Sequence, residues 1–227
     1  HEFVNADSSY DVSYNGGRDA IITVLSSNGN ALVLSSFYGG SQRDEGLVAK
    51  YDAKGRPTIL GVTTSKDLPM IGAFQDRNAG RIDGFVASLS TDGEELMWAT
   101  YVGASGDDIL TDFEPGASSQ CLIVGTTNSN NWQTTRAPET IRVDGVSDVI
   151  VLQLDGHGLS DVTLMGGSGE EKAPSLSIID KNQFYVACGS TSRDVFAGDT
   201  AVHLAGSQSS NARSEEHTSE LQSPCNL

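Results

Sequence analysis

Residues 83–108 decide the fold: Asp83-Gly84-Phe85-Val86-Ala87-Ser88-Leu89, then Ser90-Thr91-Asp92-Gly93, then Leu96-Met97-Trp98-Ala99-Thr100-Tyr101-Val102, then Gly103-Ala104-Ser105-Gly106-Asp107-Asp108. Two apolar, alternating runs flank an Asp-Gly pair. Period-two alternation is the signature of a half-buried strand. Asp-Gly supplies the positive φ that a tight hairpin needs. The stretch therefore predicts a β-hairpin that ends in a glycine-rich turn.

Working outward, the pattern recurs on both sides. Asp19, Asp83 and Asp148 open alternating runs at steps of 64 and 65 residues. Gly39-Gly40-Ser41, Gly103-Ala104-Ser105 and Gly166-Gly167-Ser168 follow at steps of 64 and 63. Gly61-Val62-Thr63-Thr64-Ser65, Gly125-Thr126-Thr127-Asn128-Ser129 and Gly189-Ser190-Thr191-Ser192 close the cycle, read here at steps of 64 and 64. Self-similarity at a fixed period marks a repeat architecture. Asn28-Gly29 and Asp155-Gly156 stand at the hairpin turn of the other two cycles.

Each cycle contains two further strand candidates. In the first they are Leu47-Val48-Ala49-Lys50-Tyr51 and Thr58-Ile59-Leu60-Gly61-Val62, separated by Asp52-Ala53-Lys54-Gly55. In the third they are Ser175-Leu176-Ser177-Ile178-Ile179 and Gln183-Phe184-Tyr185-Val186-Ala187. No stretch carries a 3.6-residue period, so the prediction is all-β. Four short strands per repeat of about 64 residues predict the four-stranded antiparallel blade of a β-propeller.

The motifs resemble the bacterial β-propeller repeat called SBBP. Asp83-Gly84-Phe85-Val86-Ala87-Ser88-Leu89, Thr100-Tyr101-Val102-Gly103-Ala104-Ser105-Gly106-Asp107-Asp108 and Val124-Gly125-Thr126-Thr127-Asn128-Ser129 carry the resemblance, together with the loop around Asp67-Leu68-Pro69 and Gly72-Ala73-Phe74-Gln75. It covers residues 8–212. Three places depart from the pattern: Trp132-Gln133 stands in the loop position, Asp194-Val195-Phe196 lacks the proline, and Pro115-Gly116-Ala117-Ser118-Ser119 replaces the Asp-x-x-Gly turn. The resemblance implies an extracellular or cell-surface protein whose propeller serves as scaffold or adhesive surface.

The expected organisation is the end of a preceding blade loop over 1–18 and three repeats over 19–82, 83–147 and 148–212. Val48-Ala49-Lys50-Tyr51-Asp52-Ala53-Lys54-Gly55 resembles the inner strand of other propeller families. In that register the chain holds two whole blades and two halves, about three blades' worth of an incomplete propeller. The blades it lacks become expected partners, and apolar faces should be exposed. Residues 213–227 break the pattern. Arg213-Ser214-Glu215-Glu216-His217-Thr218-Ser219-Glu220-Leu221-Gln222-Ser223 resembles the translation of a sequencing-library adapter, so 213–227 is expected to be a non-native tail outside the fold.

Composition narrows the function classes. The formal charge is −16, with acids spread over every repeat and no basic stripe, which argues against nucleic-acid binding. No apolar run reaches the length of a membrane span. Three cysteines are too few for a disulfide scaffold, and Cys121 and Cys188 are expected to be free thiols in strands.

Candidate chemistry is confined to repeated polar residues. The acidic pairs Asp44-Glu45, Asp107-Asp108 and Glu170-Glu171 sit beside glycines and are candidates for Ca²⁺, which takes six to eight oxygen ligands. The competing role is turn capping, in which the carboxylate accepts backbone N–H bonds. Asp19, Asp83 and Asp148 fit buried turn bonding. The Thr/Ser rows, with Trp132 beside one of them, are candidate glycan contacts. The histidines share no metal-ligand spacing, Cys-x-x-Cys is absent, and no nucleophile elbow occurs. The expectation is a non-catalytic β-propeller module with a protein or glycan partner, no catalytic residue and no cofactor other than Ca²⁺. The alternatives are a glycan- or Ca²⁺-dependent binder that uses rim loops and, less favoured, a hydrolase or lyase.

Overall fold

The computed structural model describes residues 9–117, 119–132, 143, 145–179, 183–194 and 202–204. The tail over 213–227, His1, the Asp180-Lys181-Asn182 turn, Gln133 and Phe196 lie outside the described residues. Within them the protein is all-β, with thirteen strands: β1 (Ala20–Leu25), β2 (Leu32–Tyr38), β3 (Asp44–Tyr51), β4 (Pro57–Thr63), β5 (Asp83–Leu89), β6 (Leu96–Val102), β7 (Asp108–Pro115), β8 (Gln120–Thr127), β9 (Asp148–Asp155), β10 (Leu159–Met165), β11 (Glu171–Ile178), β12 (Phe184–Ser190) and β13 (Val202–Leu204).

The sheets cut across the sequence repeats. Strands β3-β4-β5-β6 form one antiparallel sheet, and β7-β8-β9-β10 form a second, to which β13 adds a fifth strand beside β10. Strands β1-β2 and β11-β12 form two separate pairs. The second repeat thus supplies the last two strands of one sheet and the first two of the next. By register, β1-β2 corresponds to β5-β6 and β9-β10, whereas β11-β12 corresponds to β3-β4 and β7-β8.

Local chemistry explains the turns. Gly29, Gly93 and Gly156 adopt φ of 72°, 79° and 90° at the hairpin tips, where a side chain is strained. The Asp52 turn closes on Gly55 at φ 74°, and Asp52 accepts the N–H groups of Lys54 and Arg56 at 2.8 and 2.9 Å. The departure at Pro115-Gly116 keeps this shape by another route. Ser119, one period after Gly55, takes φ 63°, and Gly116 N donates to Gln120 O at 2.8 Å.

The first strand of each unit carries a bulge at a matching position: between Gly46 and Val48, between Leu110 and Asp112, and between Lys172 and Ser175. A bulge bends its strand and sharpens the local twist. Here it brings consecutive first strands side by side. Thr111 Oγ1 donates to Pro174 O, Asp112 Oδ2 accepts Leu176 N at 2.9 Å, and Lys50 Nζ pairs with Glu114 Oε1 at 2.6 Å. Each contact joins residues one period apart.

The core lies between the stacked sheets. One cluster contains Leu60, Val86, Leu110, Phe113, Ile123, Trp132, Ile150 and Leu152; another contains Tyr38, Ile59, Phe85, Leu89 and Tyr101. At the two ends the apolar cover is missing. Ile21 is 46% exposed, whereas its equivalents Phe85 and Ile150 are fully buried. Phe184 and Tyr185 on β12 are also exposed.

Candidate functional site

The polar residues that recur gather where the strands meet the glycine-rich turns. Asp44 opens β3, and its carboxylate receives Gly40 N at 2.7 Å, Ser65 Oγ at 2.9 Å and Thr63 Oγ1 at 2.5 Å. Asp108 opens β7 with the same partners one period on: Ala104 N at 2.7 Å, Ser129 Oγ at 3.0 Å and Thr127 Oγ1 at 2.5 Å. Glu171 opens β11 and accepts Ser190 Oγ and Ser192 Oγ, both at 2.6 Å. All three acids are buried. The hydroxyls of a Thr-x-Ser or Ser-x-Ser element thus hold the start of the neighbouring strand, and charge-assisted bonds of this kind are the stronger ones.

These bonds correct the alignment of the acidic pairs. Asp44, Asp108 and Glu171 are equivalents, so Glu45 matches Ile109 and Lys172, while Asp107 and Glu170 match Arg43. Backbone N–H groups confirm the phase: Arg43 N, Asp107 N and Glu170 N donate to Thr64 Oγ1, Asn128 Oδ1 and Thr191 Oγ1. Matching acid to acid shifted the first pair by one residue. The same bonds place Cys188, not Gly189, at the position of Gly61 and Gly125. A Cβ on Gly125 would stand 2.5 Å from Ile109 O, whereas one on Gly189 would meet only Lys172 O at 3.9 Å.

The outer acids form surface ion pairs. Glu45 contacts Arg18 and Arg43, Asp107 contacts Arg81 through Nε at 3.0 Å and through NH2, and Glu170 contacts Lys172 at 3.0 Å. The six Ca²⁺ candidates thus separate into three buried acids held by protein donors and three outer acids paired with cations. No group of three or more His, Cys, Asp or Glu side chains is arranged to hold a metal among the described residues.

A second set of carboxylates sits behind the glycine turns. Asp83 accepts Ala79 N at 2.8 Å, Gly80 N at 3.1 Å and Gln75 Nε2 at 3.0 Å. Burial pushes its carboxyl up to about 6, against the bonds from Ala79 and Gly80. Burial also raises Asp108. The turn glycines are explained by these acids: a Cβ on Gly39, Gly103 or Gly166 would run into Asp19, Asp83 or Asp148.

Trp132 is corrected from candidate ligand contact to core residue. It is 2% exposed, it belongs to the central cluster, and its Nε1 donates to Thr127 Oγ1 at 3.0 Å. One period earlier the same place is taken by buried Leu68. Sequence reading missed the cap preceding it: Asp67, Asn131 and Asp194 accept the N–H groups of Ser41, Ser105 and Ser168 at 2.9, 3.0 and 3.0 Å. Their spacing of 64 and 63 residues was the available signal. Ser41 N holds the Asp67 carboxyl below its ordinary value, and Ser168 N does the same for Asp194.

Clefts open between consecutive sheets at this end. One of about 430 Å³ is lined by Asp107, Ile109, Thr126, Asn128, Glu170 and Lys172, among others. A second of about 200 Å³ repeats it one sheet earlier, lined by Arg43, Glu45, Leu47, Thr63, Thr64 and Ile109, among others. These clefts gather the outer acids and the Thr rows. Cys121 is buried, and burial pushes its thiol up to about 12, which makes it a poor nucleophile. No helix among the described residues is long and apolar enough to cross a membrane. No protein-family model and no curated protein matches the sequence.

Proposed function

We propose that the chain is an arc of a β-propeller of SBBP type, acting as a non-catalytic scaffold or interaction module of a secreted or cell-surface protein. The observation that carries this reading is the contact between residues one period apart: Lys50 with Glu114, and Thr111 with Pro174. A row of four-stranded sheets that present their first strands side by side is what a propeller requires. The buried acids favour a structural role, because Asp44 and Asp108 spend both carboxylate oxygens on protein donors.

Rim binding is the second reading, and the cleft between Asp107 and Glu170 favours it. A glycan array probed with and without a chelator separates the two. The scaffold reading expects no glycan signal and no effect of chelation. A signal that disappears with chelator, together with loss on Asp107→Asn or Glu170→Gln, would replace it by Ca²⁺-dependent glycan binding.

A further inference from the structure

A cavity of about 70 Å³ lies between β6, the edge strand of one sheet, and the turns of the next sheet. Its walls include Ala73, Phe74, Trp98, Leu154, His157 and Gly158. Trp98 is 7% exposed, and its Nε1 has no hydrogen-bond partner among the described residues. An indole N–H only donates, and buried donors in folded proteins are paired with few exceptions. The second tryptophan of the chain obeys this rule, since Trp132 Nε1 donates to Thr127 Oγ1 at 3.0 Å.

Packing alone does not call for an indole at this place. By register, Leu34, Trp98 and Asp161 are equivalents, opposite Val24, Ser88 and Gln153. One period earlier the junction is closed: Leu34 is buried, and a Cβ on Gly93 of the next hairpin turn would run into it. At Trp98 the neighbouring turn is Asp155-Gly156-His157-Gly158, and a space remains beside the indole.

The walls define what fits that space. The group must accept a hydrogen bond, because Trp98 Nε1 can only donate. It must be small, since the cavity has room for about two waters. No Lys or Arg lines the cavity and the chain carries a charge of −16, so a carboxylate is disfavoured. Gly158 O accepts Asp155 N at 3.1 Å and, with two lone pairs, has room for a second donor. A primary carboxamide meets each condition: a carbonyl for the indole, an NH2 for the turn, and no charge.

We propose that this cavity receives the carboxamide of an Asn side chain presented by a protein partner. Its methylene would lie against Phe74 and Leu154, and the exposed Phe74 and His157 leave the mouth open to solvent. The inference rests on the interaction reading for the kind of partner. It needs neither the propeller arc nor the clefts at the glycine turns.

The test is an NMR titration of the full, isotope-labelled chain, whose two tryptophans give two indole N–H signals. Acetamide, the analogue of the Asn side chain, should move the Trp98 signal saturably and leave the Trp132 signal in place. Acetate should move neither. The peptide Gly-Gly-Asn-Gly-Gly should reproduce the shift, and Gly-Gly-Leu-Gly-Gly should not. Trp98→Phe identifies the signal, and Ala73→Leu, which narrows the cavity, should weaken acetamide binding about tenfold or more. A Trp98 signal that stands still in acetamide overturns the proposal. So does an equal shift with acetate or the Leu peptide, or saturation by N-acetylglucosamine at lower concentration than acetamide. These results would put nothing, an anion, a backbone carbonyl or a sugar in the cavity. If Trp98→Phe fails to fold, the wild-type titration and Ala73→Leu decide. A still signal here leaves the scaffold reading standing, because the glycan array tests that reading separately.

Discussion

Lys50 and Glu114 occupy the same position in consecutive repeats and pair with each other, Nζ to Oε1, at 2.6 Å. Asp112 shares the same ammonium at 3.2 Å. Two copies of one motif thus meet with opposite charges, and the pairing ties the two complete sheets at their first strands. Side chains of both residues are about one-third exposed, so the pair is screened by solvent.

Reversing one charge should expose that relationship. Glu114→Lys places two ammonium groups together and should lower stability by about 1 kcal/mol, less at high salt. Lys50→Glu in the same chain should restore most of the loss. Urea midpoints of the two single variants and the double variant at low and high salt provide the measurement. Additive losses in the double variant would remove the contact from the account.

The hydroxyl grip on Asp108 is buried and carries more weight. Thr127→Val removes one donor to the carboxylate and one acceptor for Trp132 Nε1, with little change of volume. The expected cost is about 2–3 kcal/mol, because both partners are left buried and unsatisfied. Thr64→Val, at a neighbouring but exposed hydroxyl, should cost less than about 0.5 kcal/mol. Equal losses at the two sites in denaturant unfolding would remove the distinction.

Two glycine substitutions separate close approach from backbone conformation. Gly103→Ala drives a methyl into the Asp83 carboxyl at negative φ, and should cost about 2 kcal/mol or more. Gly29 sits in open space at φ 72°, so Gly29→Ala should cost only about 1 kcal/mol. Thermal unfolding of the two variants should rank them in that order.

Asp83 sets a pH dependence of defined sign. Its carboxyl titrates near 6 in the fold and near the ordinary 3.8 when unfolded. Between those values the native state binds a proton that the unfolded state does not. Stability should therefore rise as pH falls from about 7 toward 4.5, by on the order of 2 kcal/mol. Asp108 is raised too and acts in the same direction. Below about 4 the trend reverses, as Asp52, Asp67 and Asp194, held low by hydrogen bonds, become protonated. Urea unfolding across this range should show the maximum, and Asp83→Asn should flatten the rise.

The cysteines should differ in reactivity. Cys121 is buried with a raised thiol, whereas Cys188 is exposed on β12. In the Cys225→Ser chain, a maleimide should label Cys188 under native conditions and reach Cys121 only after unfolding. Mass spectrometry of the labelled peptides distinguishes the two, and native labelling of Cys121 would contradict the packing around β8.

Sequence periodicity alone determined the strands and their turns. The expected run at Leu96 to Val102 became β6 with the same bounds, and the run at Gly84 to Leu89 became β5 with Asp83 added at its start, because alternation and Asp-Gly turns act over a few residues. The division of those strands into sheets of four and five and two separate pairs belongs to the tertiary structure. Which acid is buried was not legible, since Asp107 and Asp108 differ only in the direction their side chains take from the strand start. Nor was the place of Trp132, whose ring fills a gap between sheets that no local pattern describes. Those outcomes depend on contacts across 19 to 64 residues, and tertiary packing decides them. Period-two patterning tells a strand which face to bury; only the neighbouring sheet determines what that face meets.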